Sequence, residues 1–160
     1  LFNIGDKVVY PMQGAGIIES IQEKEMLGEK QQYYIIKILI SKMEIMIPFN
    51  RIQSSNLRPI NDEATLESTL QFFSNEATDS QEIIPAKQRY QINMDKIKSG
   101  SLKQGAEVIR DLTRMNSIKT LNSSEKQMLM NAKRFLISEM ILIKGFTEEQ
   151  ADDLLNACFN

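Results

Sequence analysis

The spacing of hydrophobic positions changes character near residue 59. Before that point apolar residues come in short, partly alternating runs: Lys7-Val8-Val9-Tyr10, Gly16 to Leu27, Gln31 to Ile40, and Met43-Glu44-Ile45-Met46-Ile47-Pro48. Runs of this kind mark strands. Gly28-Glu29 is the expected hairpin tip between the second and third runs. Pro48 closes the fourth, because proline has no N–H to give to a ladder. Asn50 to Leu57 supplies a short fifth strand in this reading. Five short strands predict a small twisted barrel, whose open edges can accept a further strand.

After Arg58-Pro59 the period becomes helical. Asn61 or Asp62 caps a helix with Leu66, Leu70 and Phe73 on one face. Residues 74–82 form a polar connector. Pro85 opens a helix that stops at Gly100, and Ser101 caps the next, with Leu102, Ala106, Ile109 and Leu112 on its stripe. Asn122 with Glu125 has the spacing of a capping box. It starts a helix with Leu129, Ala132, Leu136, Met140 and Ile143 inward and Gly145 at its end. Thr147 with Gln150 is a second capping box, with Phe146 stapled onto Ala151. The expected fold class is therefore α+β in two domains, a β domain at 1–58 and an all-α domain of about five helices at 59–160.

Charge follows this division. The 160-residue chain has a formal net charge of −2, but the average hides a block. Residues 61–82 carry 6 acids and no base, whereas residues 87–144 carry 12 bases against 5 acids. Lys103, Arg110 and Arg114 recur at i, i+7 and i+11, and Lys126 and Lys133 at i and i+7, so each set shares a helix face. Such faces suit phosphate contact, or are simply solvated. Histidine is absent, which removes the commonest general base and zinc ligand. One cysteine, Cys158, allows no internal disulfide. No acid cluster has catalytic or metal-ligating spacing, and no apolar run is long enough to span a bilayer. The expectation is a cytoplasmic protein with no enzymatic activity, no cofactor or metal, and no small-molecule substrate.

Gly14-Ala15-Gly16 invites a phosphate-loop reading, but a phosphate cradle needs a helix after it. Here Ile17-Ile18-Glu19-Ser20-Ile21 reads as strand. The glycines instead predict positive φ in a loop or close backbone approach.

The pattern G-D-x-V-V-Y-P-x-x-G-A-G, followed by G-E, Y-Y-I-I-K and a strand ending I-P, resembles the CarD/CdnL family of bacterial transcription regulators. Part of this pattern is shared with the polymerase-interaction module of transcription-repair coupling factors. The resemblance continues through Arg89-Tyr90, Lys98-Ser99-Gly100, Ala106 to Leu112, and Ser124 to Leu129. It implies a Tudor-like barrel that binds the RNA polymerase β subunit, in its lobe region, by edge-strand contact. The residues it assigns to that contact are Lys24, Glu44, Ile45, Met46, Ile47 and Pro48. Family members commonly carry a base where this chain has Met46, so a charge-assisted contact there is not carried over. The resemblance also implies non-sequence-specific contact between the helical domain and promoter DNA, at the minor groove and phosphates near the upstream edge of the bubble. Ala86, Lys87, Arg89, Lys126 and Lys133 are the candidate DNA contacts: Ala86 falls at the family's wedge position, Arg89 and Lys126 have surroundings that match the family pattern, and Lys133 shares the Lys126 face.

Many family members place a wedging tryptophan at the position of Ala86 and a base at that of Gln91. This chain contains no tryptophan, and a methyl group cannot fill an unstacked base step. Either phosphate contacts act without a wedge, or Ile83 or Ile84 replaces it. The rival reading is an RNA-binding small barrel, which requires exposed aromatic platforms, for which Tyr10, Tyr33 and Tyr34 are the candidates. An unmated barrel edge can also pair with a second copy of the chain.

Overall fold

A computed structural model describes residues 1–76 and 84–159. Its first part is a five-stranded antiparallel sheet: β1 (Lys7–Tyr10), β2 (Gly14–Met26), β3 (Glu29–Ile38), β4 (Glu44–Pro48) and β5 (Arg58–Pro59). The strand order is β4-β3-β2-β1-β5, so β4 and β5 are the two edges. The fifth strand is not where alternation put it. Phe49–Arg51 forms a 3₁₀ turn and Ile52–Ser55 a single helical turn, α1, before β5 begins. The Phe49 ring stacks on Tyr34 with centroids 4.2 Å apart, and Ile52 and Leu57 are buried in the barrel core. That packing folds the segment inward, and the sheet ends in two residues that pair with Val8 and Val9.

The alternation inside the strands holds. Val8, Ile18, Tyr34, Ile36, Ile38 and Ile47 form the barrel core, each removing apolar surface worth about 1.5–3 kcal/mol. The register of β2 against β3 shifts between Ile18 and Ser20, a bulge within the longest strand. Both readings of the glycine pair are realised. Gly14 has φ +97°, and a Cβ on Gly16 would lie 2.5 Å from the Lys37 carbonyl oxygen, so the strands approach there only because it is glycine. The hairpin tip is Leu27-Gly28, one residue earlier than expected, with Met26 opposite Glu29 as the closing pair.

Five longer helices follow: α2 (Glu63–Asn75), α3 (Ala86–Lys98), α4 (Leu102–Ile118), α5 (Ser123–Lys144) and α6 (Glu148–Phe159). Their caps match the sequence. Asp62 accepts from the Thr65 amide at 2.7 Å, and the Thr65 side chain together with that amide holds its carboxyl below the usual aspartate range. Ser101 and Asn122 cap α4 and α5 in the same way, and Gly145 ends α5 in the left-handed region. The Thr147–Gln150 box is complete in both directions, at 2.9 and 3.1 Å. The Asn122–Glu125 box is half made: Asn122 accepts from the Glu125 amide, but the Glu125 carboxylate points to Arg89. Helix α4 is central, touching α2, α3, α5 and α6, and its stripe of Leu102, Ala106, Ile109 and Leu112 is buried.

Barrel and helices meet along a polar and apolar seam. Glu139 of α5 is buried and takes two bonds from the Arg58 guanidinium, at 2.6 and 2.9 Å. Its Oε2 also accepts from the Asn61 amide at 2.9 Å. Arg58 Nε donates to the Gly100 carbonyl at 2.7 Å, tying the α3–α4 connection to the same point. The Ala15 amide donates to the Ser138 hydroxyl at 3.0 Å, and Ser138 donates to the Phe135 carbonyl. Pro11 packs against Gly100, where a Cβ would sit 2.6 Å from Pro11 Cγ. The β1–β2 turn with the first residues of β2, together with Arg58 of β5, thus docks the barrel on the helices, a role the sequence left open.

Candidate functional site

Two exposed regions carry the residues singled out from sequence. The first is the β4 edge. Within the described residues β4 pairs only with β3, so its outer side has no strand neighbour. The period of two divides the candidates between two faces. Ile47 is buried in the barrel core and Ile45 packs against it, so these two bring only backbone to the edge. Glu44 and Met46 are exposed and Pro48 half-buried on the other face. Lys24, two strands away on β2, reaches that face, and its Nζ lies 3.7 Å from Met46 Sδ. The two positions that the resemblance pairs are therefore neighbours, with an ammonium resting against a thioether. Met46 sits opposite Ile35 and Pro48 opposite Tyr33, and both β3 residues are buried.

The second region is the end of the helical part where α3 and α5 begin. Ala86 and Lys87 are exposed in the first turn of α3, and Lys126 is exposed near the start of α5. Arg89 joins these turns by donating to Glu125 through Nε at 2.6 Å and Nη2 at 2.9 Å. The bond to Glu125 raises the Arg89 pKa beyond its already high value. The Arg89 charge is compensated by a buried carboxylate and its side chain is largely covered. What it does is set the two helix starts side by side. Lys133 lies two turns further along α5 and is half-buried. Ile84 borders an open cleft with Pro85, Ala86, Lys119, Leu121 and Asn122; Ile83 lies outside the described residues.

The i, i+7, i+11 set on α4 divides. Arg110 is buried, pairs with Asp111 and stands over the Phe73 ring at 4.8 Å. Arg114 donates to the Phe73, Ser74 and Glu76 carbonyls and so holds the end of α2. Only Lys103 is exposed, with its ammonium 5.8 Å from the Phe72 ring centroid. A face shared on a central helix is a packing face, and two of these cations serve the core. Burial pushes the Asp111 carboxyl above its usual value, against the pull of Arg110.

Two residues escaped the sequence reading. Lys119, the C-cap of α4, is exposed beside the first turn of α3 but belongs to no helical face pattern. Glu139 interrupts an apolar run, which was the available signal, but its partner Arg58 is 81 positions away. The RNA-binding reading loses its platform. Tyr33 and Tyr34 are buried, with the Tyr34 hydroxyl accepting from the Phe2 amide, and Tyr10 packs partly into the barrel core. No helix among the described residues is long and apolar enough to cross a membrane.

Known proteins match this arrangement in both parts. Residues 2–61 match the CarD-like/TRCF RID domain, and residues 68–156 match the CarD C-terminal domain. A curated relative from Bacillus subtilis (strain 168), "Putative transcription factor YdeB", is 56% identical over 150 residues, covering 94% of this chain and 97% of its own. Among solved structures, "CdnLNt from Myxoccoccus xanthus" is 44% identical, covering 39% of this chain and 89% of its own, with a TM-score of 0.35. The 72-residue N-terminal domain of Myxococcus xanthus CarD is 28% identical over 36% of this chain and 77% of its own, with a TM-score of 0.31. The two domain matches in sequence order, together with a relative that spans nearly the whole chain, place this protein in the CarD family of transcription factors.

Proposed function

We propose that this protein binds the β subunit of RNA polymerase, at its lobe, through the β4 edge, and holds the α3–α5 end of its helical part against promoter DNA at the upstream edge of the bubble. The observation that carries the reading is the edge itself. An unmated strand, with Lys24 and Met46 gathered on the face beside it, fits strand addition, in which backbone bonds supply affinity and side chains supply choice. Met46 packs adaptably where a fixed cation would demand a matched acid.

On the DNA side, Lys87, Lys119 and Lys126 are exposed around two helix starts, and helix N-termini favour phosphate. These contacts are weak alone. A domain tethered to polymerase works at high effective concentration, so weak contacts suffice to lengthen open-complex lifetime. No side chain of wedge size occupies position 86, and phosphate contact does the work in this reading.

The test pairs polymerase binding with open-complex lifetime, using the full chain. Met46→Glu removes both binding and the lifetime effect. Lys126→Glu keeps polymerase binding, shortens the lifetime and flattens its salt dependence by about one unit of log–log slope. Ala86→Trp lengthens the lifetime. Should Met46→Glu bind polymerase as the parent does, the edge is not the contact and the reading fails. Should Ile84→Ala shorten the lifetime while Ala86→Trp leaves it unchanged, Ile84 is the wedge.

A further inference from the structure

The β2–β3 hairpin runs beyond the barrel core, and every residue from 21 to 30 is exposed. Its turn is two residues long, with φ of +53° at Leu27 and +80° at Gly28. Two positive φ values in a two-residue loop define the type I′ turn, which favours Asn-Gly or Gly-Gly. A residue other than glycine, asparagine or aspartate is disfavoured at the first position, since the left-handed region crowds its Cβ against the backbone. Here that residue is leucine, and its side chain touches nothing: Leu27 is 103% exposed and Met26 beside it 60%. Leu27 therefore carries two disadvantages at one position, a disfavoured backbone and an apolar side chain in water. Neither is offset inside the molecule, because no core packing is gained. Strain combined with unburied apolar surface points to a contact outside the chain.

The tip is continuous with the β4 edge. The Tyr33 hydroxyl donates to Met26 Sδ at 3.3 Å, Tyr33 sits opposite Pro48 of β4, and Lys24 reaches Met46. Leu27, Met26, Lys24 and Met46 thus line one surface running from the arm's end to the edge strand. On this surface Glu29 stands opposite Met26 and the Lys24 ammonium rests on Met46, while Glu25 and Lys30 pair on the other face, so charges of both signs surround the tip and what it presents is apolar.

We propose that Leu27 and Met26 form a second, apolar contact with the same protein that takes the β4 edge, entering an apolar depression on it. This rests on the polymerase reading above and names the part of the interface that reading leaves out. A two-residue turn fixes the backbone that presents the side chain, so insertion costs rotamer freedom but little backbone freedom.

The experiment uses the full chain with purified polymerase and compares Leu27→Asn, Leu27→Met and Met46→Glu by affinity and by thermal melting. Leu27→Asn creates the preferred Asn-Gly turn, so its melting temperature equals or exceeds that of the parent while its affinity for polymerase drops about tenfold to thirtyfold. Leu27→Met keeps affinity within about twofold. If Leu27→Asn binds like the parent while Met46→Glu is weakened, the tip contact is overturned and the edge contact stands. If neither variant is weakened, the polymerase reading fails and the tip proposal with it. A lower melting temperature for Leu27→Asn assigns Leu27 to the fold and overturns the proposal. So does light scattering showing that the parent self-associates through the tip while polymerase affinity is indifferent to it.

Discussion

At the seam with the helices, the buried carboxylate of Glu139 is bonded by Arg58 and Asn61, Ala15 finds Ser138, and Pro11 rests on Gly100 with no room there for a Cβ. At the β4 edge of the same small barrel, a strand has no outer neighbour, and Met46, Met26 and Leu27 face solvent. One side of the barrel has satisfied its polar groups and the other has not. A satisfied network in a low-dielectric seam fixes geometry, because any displacement leaves a buried charge uncompensated. An unsatisfied edge contributes nothing to internal order and is available to a partner. The barrel is thus held by one side and able to hold something else by the other.

That contrast is broken most severely at Arg58. Arg58→Ala leaves Glu139 buried without its cation and lowers stability by on the order of 3 kcal/mol, measured as a shift in the urea midpoint. On the function proposed above, polymerase affinity then survives in native conditions while open-complex lifetime falls, because the two ends are no longer held in register. Next comes Gly100→Ala. Its φ of +74° and the 2.6 Å approach to Pro11 Cγ predict a loss of about 2 kcal/mol in the same measurement. Gly105→Ala sharpens the comparison with the opposite sign. Gly105 lies inside α4 beside the seam with open space around its missing Cβ, so alanine adds about 0.5–1 kcal/mol of stability. Alanine scanning across the seam therefore separates a glycine that the joint requires from one that it tolerates.

The helices were legible because their signals are local. Asp62, Ser101, Asn122 and Thr147 each cap the helix that their spacing announced, and Gly100 and Gly145 each end one. Alternation divides β4, with Ile45 and Ile47 on the core face and Met46 on the other, a division that the site assignment, which took all three together, did not draw. What failed depended on distant neighbours. Asn50 to Leu57 has β-compatible residues, but stacking of Phe49 on Tyr34 bends it into a 3₁₀ turn and α1. Arg110 and Arg114 share a face that looks solvated until α2 is laid across it. The pairing of Arg89 with Glu125, 36 positions away, is likewise invisible to local spacing. Charge on a helix face is readable from spacing; whether water or another helix meets it is not.

The Pro11–Gly100 contact also bears on exchanging parts between relatives. A barrel transplanted onto a foreign helical half must find a residue without a side chain where its proline lands, and an acid waiting for its arginine. Chimeras within this family should therefore be spliced so that positions 11, 58, 100 and 139 travel as a set. A hybrid that divides them will assemble its two halves poorly even when each is intact.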